Sequence, residues 1–330
     1  MKIPKALVTG GNGFLGFAIT KKLLEKGWEV RILARGKTAI PETKENLAWI
    51  QADIRDPEKV MRAAEGVDTV FHTAALAGVW GPEEVYRSIH VDGTENVIAA
   101  CRSAGARLIH TSSPSVVFNG KDMEGVDAAC PYPASYSAAY PRTKAEAEKK
   151  VREAAEKGLA CMILRPHLIW GPGDNHLVPR ILARAKRLAR IGPRNPLIDT
   201  VYIDNAAQAH LLADQALAEK AHLSGSIYFV SDNSPTPLWD MVDAILQAGG
   251  KPPVTRRIPL KLALGLALFL ETIYRVLHLP GEPILTTFTV KEMTTAHWFD
   301  IENLIRDTGY TPLISREEGL SRLARHLNRV

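Results

Sequence analysis

The chain has 330 residues, 46% of them apolar and 23% charged, with a formal net charge of +5. That length supports one large domain or two modest ones with a sizeable core, and the composition excludes a disordered chain. A nucleic-acid binder gathers its charge in a stripe or cluster; the clearest cluster here, between residues 180 and 194, reads first as a solvated helix face, so no nucleic-acid partner is expected.

Met1 leads at once into an apolar run at 6–9, which predicts a strand and no signal peptide. Gly10, Gly13 and Gly16 follow, just before and inside a helical pattern at 13–26. A tight turn needs the first glycine, close approach of a pyrophosphate the second, and close helix–strand packing the third. The helix N-terminus then offers unpaired N–H groups to phosphate. With a second strand at 30–34, this spacing predicts a dinucleotide site. Where an acid would accept from the ribose 2′-hydroxyl of NAD, the chain reads Ala34-Arg35. A cation there favours a 2′-phosphate, so NADP(H) is expected over NAD(H), with Arg35 as its main contact and Lys37 as a helper.

Strands at 49–52, 69–73 and 107–111 alternate with helices at 57–65 and 83–104. A long helix at 136–157 and a strand at 160–165 follow. This alternation predicts an α/β fold, a Rossmann-like doubly wound parallel sheet with a smaller, mainly helical substrate-binding lobe. The division expected is residues 1–170 for the dinucleotide domain and 171–330 for the lobe, with some segments such as 227–231 returning to the main sheet. Tyr140 and Lys144 stand four apart on the long helix and share a face. An ammonium beside a phenol favours the phenolate, so a lowered Tyr140 pKa is expected. Ser113 follows the strand at 107–111, where a parallel sheet places its ligands, and its hydroxyl suits a carbonyl oxygen gaining charge. Ser112 competes for that role by one position. Tyr136 has Tyr140, not a lysine, four residues on.

Later segments leave more open. Arg180, Arg184, Lys186, Arg187, Arg190 and Arg194 form the basic cluster; a contact for an acidic substrate, a cofactor phosphate or an anionic membrane is its sharper reading. The stretch 260–279 has an uninterrupted apolar part at 262–270, too short for the ~20 residues of a membrane span. It reads as a buried or lid helix, or as one lying in a membrane interface. As a lid, it would turn Leu266 and Phe269 to the ligand, with Phe288 and Trp298 nearby. Cys101, Cys130 and Cys161 are odd in number and widely spaced, which fits neither a disulfide framework nor a metal cluster and points to a reducing cytosol. No metal is expected.

The Gly-x-x-Gly-x-x-Gly spacing, "ADIRD" at 52–56, "HTAA" at 72–75 and "RPHLIWGPGD" at 165–174 resemble the extended short-chain dehydrogenase/reductase family over essentially the whole chain. The resemblance implies catalysis by Ser113, Tyr140 and Lys144. It implies cofactor contacts from Gly10, Gly13, Phe14, Leu15, Gly16, Asp53 and Ile54, the first acid approaching the adenine. Thr73, Ala74, Ala75, Tyr140, Lys144, Pro166 and His167 complete the implied contacts. His90 replaces an asparagine of the family's pattern and reads as a buried, satisfied histidine. "HTAALAGVWG", "TSSPSVVF" and "DTVYIDNAAQAHLLA" resemble the 3β-hydroxysteroid dehydrogenase-like branch. Residues 281–312 look closest to the bacterial 2-alkyl-3-oxoalkanoate reductases of long-chain olefin biosynthesis. The function this implies is NADPH-dependent reduction of a small hydrophobic β-keto acid. A 3β-hydroxysteroid or sterol-4-carboxylate dehydrogenase, a nucleotide-sugar epimerase and a non-catalytic NADP sensor are the alternatives. A cytoplasmic location is expected; peripheral membrane contact, a homodimer and assembly with other olefin-pathway enzymes are left open.

Overall fold

The computed structural model describes residues 2–36 and 45–328. Seven strands build the main sheet: β1 (Lys5–Thr9), β2 (Glu29–Ala34), β3 (Leu47–Gln51), β4 (Thr69–His72), β5 (Arg107–Thr111), β6 (Cys161–Pro166) and β7 (Ile227–Val230). All pair in parallel, in the order β7-β6-β5-β4-β1-β2-β3. Parallel strands covered on both faces are apolar throughout. Ala6, Leu7 and Val8 have no exposed surface, and every residue of β4 is buried. Alternate residues feed two cores. Ala6, Val8 and Ile32 pack with α1 (Phe14–Glu25) and a later helix, Ile203–Glu219; Leu7, Leu33 and Val70 pack with α2 (Pro57–Ala64) and α3 (Gly93–Ala104).

The chain order reverses between β1 and β4, and such a switch point opens a crevice at the carboxyl ends of the strands. His72 ties its two sides together. Its Nδ1 bonds the Thr9 hydroxyl at 2.7 Å and its Nε2 the Thr94 hydroxyl at 3.0 Å.

Two helices differ from the sequence pattern. The long helix α4 runs Ala139–Glu156, starting three residues later than expected. Pro141 lacks the N–H that a helix begun at Tyr136 would need, but sits without cost in a first turn. The expected helix at 83–104 contains a π-helical turn, Ser88–Asp92. There His90 turns aside to bond Thr143 and the Leu76 backbone, and Gly93 packs so closely on Ile54 that a Cβ would stand 2.6 Å from its Cδ1.

Beyond residue 170, α5 (Leu177–Arg184), α6 (Leu238–Ala248), α7 (Leu260–Val276) and α8 (Thr287–Glu292) gather around a small sheet that includes Leu197–Ile198 and His297–Phe299. Residues 203–230 return to the main body, as a helix against α1 and as edge strand β7. α7 departs from its lid expectation: Leu266 is 43% and Phe269 59% exposed, while Ala263, Ala267 and Glu271 face inward. Periodicity shows that a helix has two faces, but not which one meets solvent.

The long helix is locked to the sheet by a fully buried ion pair. Arg165 Nε donates to Glu148 Oε2 at 3.0 Å and its Nη2 to Oε1, while the Ser112 and Tyr132 hydroxyls donate to the same carboxylate. Burial alone would raise the Glu148 carboxyl, but Arg165, Ser112 and Tyr132 together outweigh it and hold the group below its ordinary value. Removing one partner strands the other charge, which costs about 3–5 kcal/mol. Glu148→Ala is therefore expected to lower unfolding free energy by roughly that amount in urea titration, whereas Glu146→Ala, on the outer side of the same helix, should cost far less.

Candidate active site

A cleft of about 410 Å³ lies at the carboxyl ends of β1, β4 and β5. Gly10, Gly13, Phe14, Leu15 and Gly16 form one wall, with Thr73 and Ala75 beside them. It continues into a hollow of about 160 Å³ lined by Ala34, Arg35, Asp53, Ile54 and Ala74. Gly10, Gly13, Thr73 and Ala75 border both, so the glycine turn is the saddle between them.

The turn fits a dinucleotide on its own geometry. Gly10 has φ +70°, and a Cβ on it would stand 2.8 Å from Ala74 Cα. A Cβ on Gly16 would stand 2.3 Å from the Gly10 carbonyl oxygen. The turn therefore closes tightly against both β4 and its own helix. Gly13 caps α1 without a side-chain hydrogen bond, which leaves the helix N-terminus open to an anion. In the second hollow Arg35 is exposed, while Asp53 is held by Arg55 at 2.8–3.0 Å and lies below its ordinary pKa for that reason. Lys37 lies outside the described residues.

The opposite wall carries Ser113, Tyr140 and Lys144, with Pro166 and His167 beyond. Ser113 follows β5 and caps a short 3₁₀ turn, its Oγ 2.9 Å from Ser115 Oγ. Ser112 also borders the cleft, but its hydroxyl is committed to the Glu148 carboxylate. Tyr136 is likewise committed, donating to the Val116 carbonyl at 2.8 Å. Lys144 is buried and its Nζ donates to the Thr111 carbonyl at 2.6 Å; burial pulls its pKa down to about 8, against the opposing pull of Glu148.

The expected depression of the Tyr140 pKa is not what the structure shows. Burial raises the phenol; the hydrogen bond from Ser113 pulls it back, and Glu292 and Tyr86 push it further up. The Lys144 ammonium is spent on the Thr111 carbonyl. His90 is the satisfied histidine expected: Nδ1 bonds Thr143 at 2.9 Å, Nε2 bonds the Leu76 N–H at 3.0 Å, and burial with Lys144 lowers its pKa to about 3.

His167 belongs to a relay. His297 Nε2 faces the Glu292 carbonyl at 2.8 Å and so donates to it, leaving Nδ1 to accept from His167 Nε2–H at 2.8 Å. Burial keeps both rings neutral. Phe288 lines the cleft as expected for an apolar wall; Trp298 instead packs its ring over Gly125. None of the arginine cluster lines the cleft, which corrects the idea that it meets a substrate acid there.

Sequence reasoning missed Glu292, Asn12 and Leu168. The Glu292 carboxyl lines the cleft with no hydrogen-bond partner among the described residues, and burial pushes its pKa up to about 8. No motif marks it. Asn12 borders the second hollow and was legible as the one polar side chain within the glycine run. Leu168 holds a left-handed φ of +43° in the cleft wall, a strained backbone that local sequence does not announce.

The fold and this cleft define an oxidoreductase of the extended short-chain dehydrogenase/reductase class. The chain belongs to the 3-beta hydroxysteroid dehydrogenase/isomerase family, whose profile matches residues 7–262. It is 45% identical to the 2-alkyl-3-oxoalkanoate reductase of Stenotrophomonas maltophilia, over 97% of this chain and 98% of that protein. It is 42% identical to the enzyme of the same name from Shewanella oneidensis, over 98% and 86%. A solved dTDP-glucose 4,6-dehydratase of Streptomyces venezuelae, with NAD bound, superposes with a TM-score of 0.77 over 98% of this chain and 97% of that one; at 21% identity it shares the fold alone.

The electrostatics of Tyr140 are directly measurable. In the ligand-free protein its phenol is expected to titrate above ordinary tyrosine, read by ¹³C NMR at Cζ. Ser113→Ala removes a bond that favours the phenolate, so the titration should move higher still. A value below free tyrosine would overturn this account of the cleft.

Proposed function

We propose that the protein is an NADPH-dependent reductase that converts the ketone of a 2-alkyl-3-oxoalkanoate to the hydroxyl. The observation that carries the reductase reading is that Ser113, Tyr140 and Lys144 face the glycine turn across one cleft. The substrate reading draws on the two relatives of that name and on the wall itself, where Phe14, Val79, Leu168 and Phe288 offer apolar surface to alkyl chains. Residues 1–170 hold the cofactor and the catalytic groups, and residues 171–330 contribute the substrate side.

When bound, the reduced nicotinamide supplies the hydride that reduces the carbonyl carbon. Ser113 donates a hydrogen bond to the carbonyl oxygen as charge builds there. Tyr140 passes its proton to that oxygen, and its raised pKa keeps it protonated and ready to donate at neutral pH. Lys144 would hold the nicotinamide ribose, and the turn of Gly10, Gly13 and Gly16 with the α1 N-terminus would hold the pyrophosphate. Arg35, which lines the second hollow, would meet the 2′-phosphate. Glu292, protonated below about pH 8, stands in the wall as a neutral donor and does not repel a substrate carboxylate.

The family match over residues 7–262 supports a second reading, oxidation or reduction at C3 of a sterol. NADPH oxidation measured against 2-alkyl-3-oxoalkanoates of several chain lengths, a 3-ketosteroid and a UDP-sugar decides between them. Turnover confined to the steroid would overturn the β-keto acid reading. Tyr140→Phe removes one hydroxyl and should cut turnover by ~10²-fold or more while NADPH still binds.

Cofactor choice is tested separately. Arg35→Asp places a carboxylate against the 2′-phosphate, so the ratio of kcat/KM for NADPH over NADH should fall by at least about tenfold. Wild-type enzyme that works better with NADH would remove the basis for this assignment.

A further inference from the structure

α7 turns its large apolar side chains outward. Leu262, Leu266, Phe269 and Val276 recur at three-, four- and seven-residue spacing and are 60, 43, 59 and 67% exposed. Leu268 flanks this stripe, and Leu277 and Ile284 extend it past the helix. The inner face is spent on α8: Ala263 and Ala267 cluster with Ile191 and Val290, and Glu271 accepts from the Thr287 N–H at 2.7 Å. α8 in turn presents Phe288 and Glu292 to the cleft. The apolar stripe is thus the outer surface of a two-helix layer over the active site.

The rim of this surface is basic. Two short strands, Arg190–Ile191 and Arg257–Ile258, pair in parallel immediately before α7 and bring the arginine-rich segment beside it. Arg184 donates to the Ile284 carbonyl at 3.1 Å, and a Cβ on Gly192 would lie 3.8 Å from that of Leu260. Lys186, Arg187, Arg256, Arg257 and Lys261 are exposed, and none of them pairs with an acid among the described residues. The nearby acids are committed: Glu271 to Thr287, Glu282 to Arg180, and Asp243 to Arg190.

An occupant must cover apolar side chains and neutralise these cations at once. A second copy docking here would set one basic rim against another, without the opposite charges that flank a helix–helix seam in water. An anionic bilayer surface answers both requirements, taking the apolar stripe into its headgroup–acyl boundary and the lysines and arginines against its phosphates. No described helix is long and apolar enough to cross a membrane, so the helix would lie in the interface plane. We propose that α7, residues 277–284 and the basic strip formed by residues 184–194 and 256–261 are a docking surface for anionic lipid membranes. This rests on the surface and not on the substrate reading, and its test uses no activity.

Flotation of the full chain is compared with vesicles of phosphatidylcholine alone and of phosphatidylcholine with phosphatidylserine. Binding is expected to the phosphatidylserine vesicles and to weaken in high salt. The Leu266→Ser, Phe269→Ser double variant and the Arg256→Glu, Lys261→Glu double variant should each reduce the bound fraction by on the order of tenfold. Both should keep the wild-type Tm, because these side chains face outward. Failure of the wild type to float with the anionic vesicles, or flotation that neither variant changes, would overturn the proposal. So would a large drop in Tm in the apolar variant, which would make α7 core. A dimer seen in sedimentation velocity and dissolved by the apolar variant would assign the face to a second copy instead.

Discussion

A buried carboxylate sets the geometry of the cleft. Glu148 has no exposed surface, yet it joins the long helix to Arg165 of β6, Ser112 just after β5 and Tyr132 of the preceding loop. Tyr140, Lys144 and Glu148 lie at successive four-residue steps, so fixing the last fixes the rotation and height of the other two. The same bond commits the Ser112 hydroxyl to the carboxylate, and its neighbour Ser113 is the hydroxyl that bonds Tyr140. A pair of charges in so dry a place adds little net stability against an apolar alternative. Its value here is positional.

The second constraint is the close approach at the switch point. β1 and β4 are tied through His72, and the glycine turn sits against Ala74 without room for a methyl group. The two hollows therefore meet over backbone, where a long, bent, phosphate-bearing ligand has its polar middle. Around Lys144 the protein has gathered His72, His90 and His110, all held neutral by burial. Burial of a cation is tolerated where its neighbours carry no charge of the same sign, and its proton is shared with the Thr111 carbonyl.

The later half of the chain works as a layered cover. α8 lines the cleft and α7 lies outside it, so the long apolar helix is one step removed from the cleft. That arrangement gives the active-site wall a support on one side and leaves a greasy, positively rimmed face on the other.

Much of the core fold, and the meeting of the glycine turn with Tyr140 and Lys144 in one cleft, was legible because it is written in short-range spacing. Glycines at every third position from 10 to 16, a tyrosine and a lysine one helical turn apart, and alternating strands and helices each have a local steric or hydrogen-bonding cause that no distant residue alters. Other features required the folded chain. Which of two adjacent serines is free depends on a glutamate 36 residues away. The shift of the Tyr140 phenol depends on how deeply it is buried and on Ser113, Glu292 and Tyr86 around it. Glu292 enters the cleft, and the arginine cluster leaves it for the rim of α7, only through contacts between segments far apart in sequence. Burial and electrostatic environment are sums over everything nearby in space, and spacing along the chain carries no record of that sum.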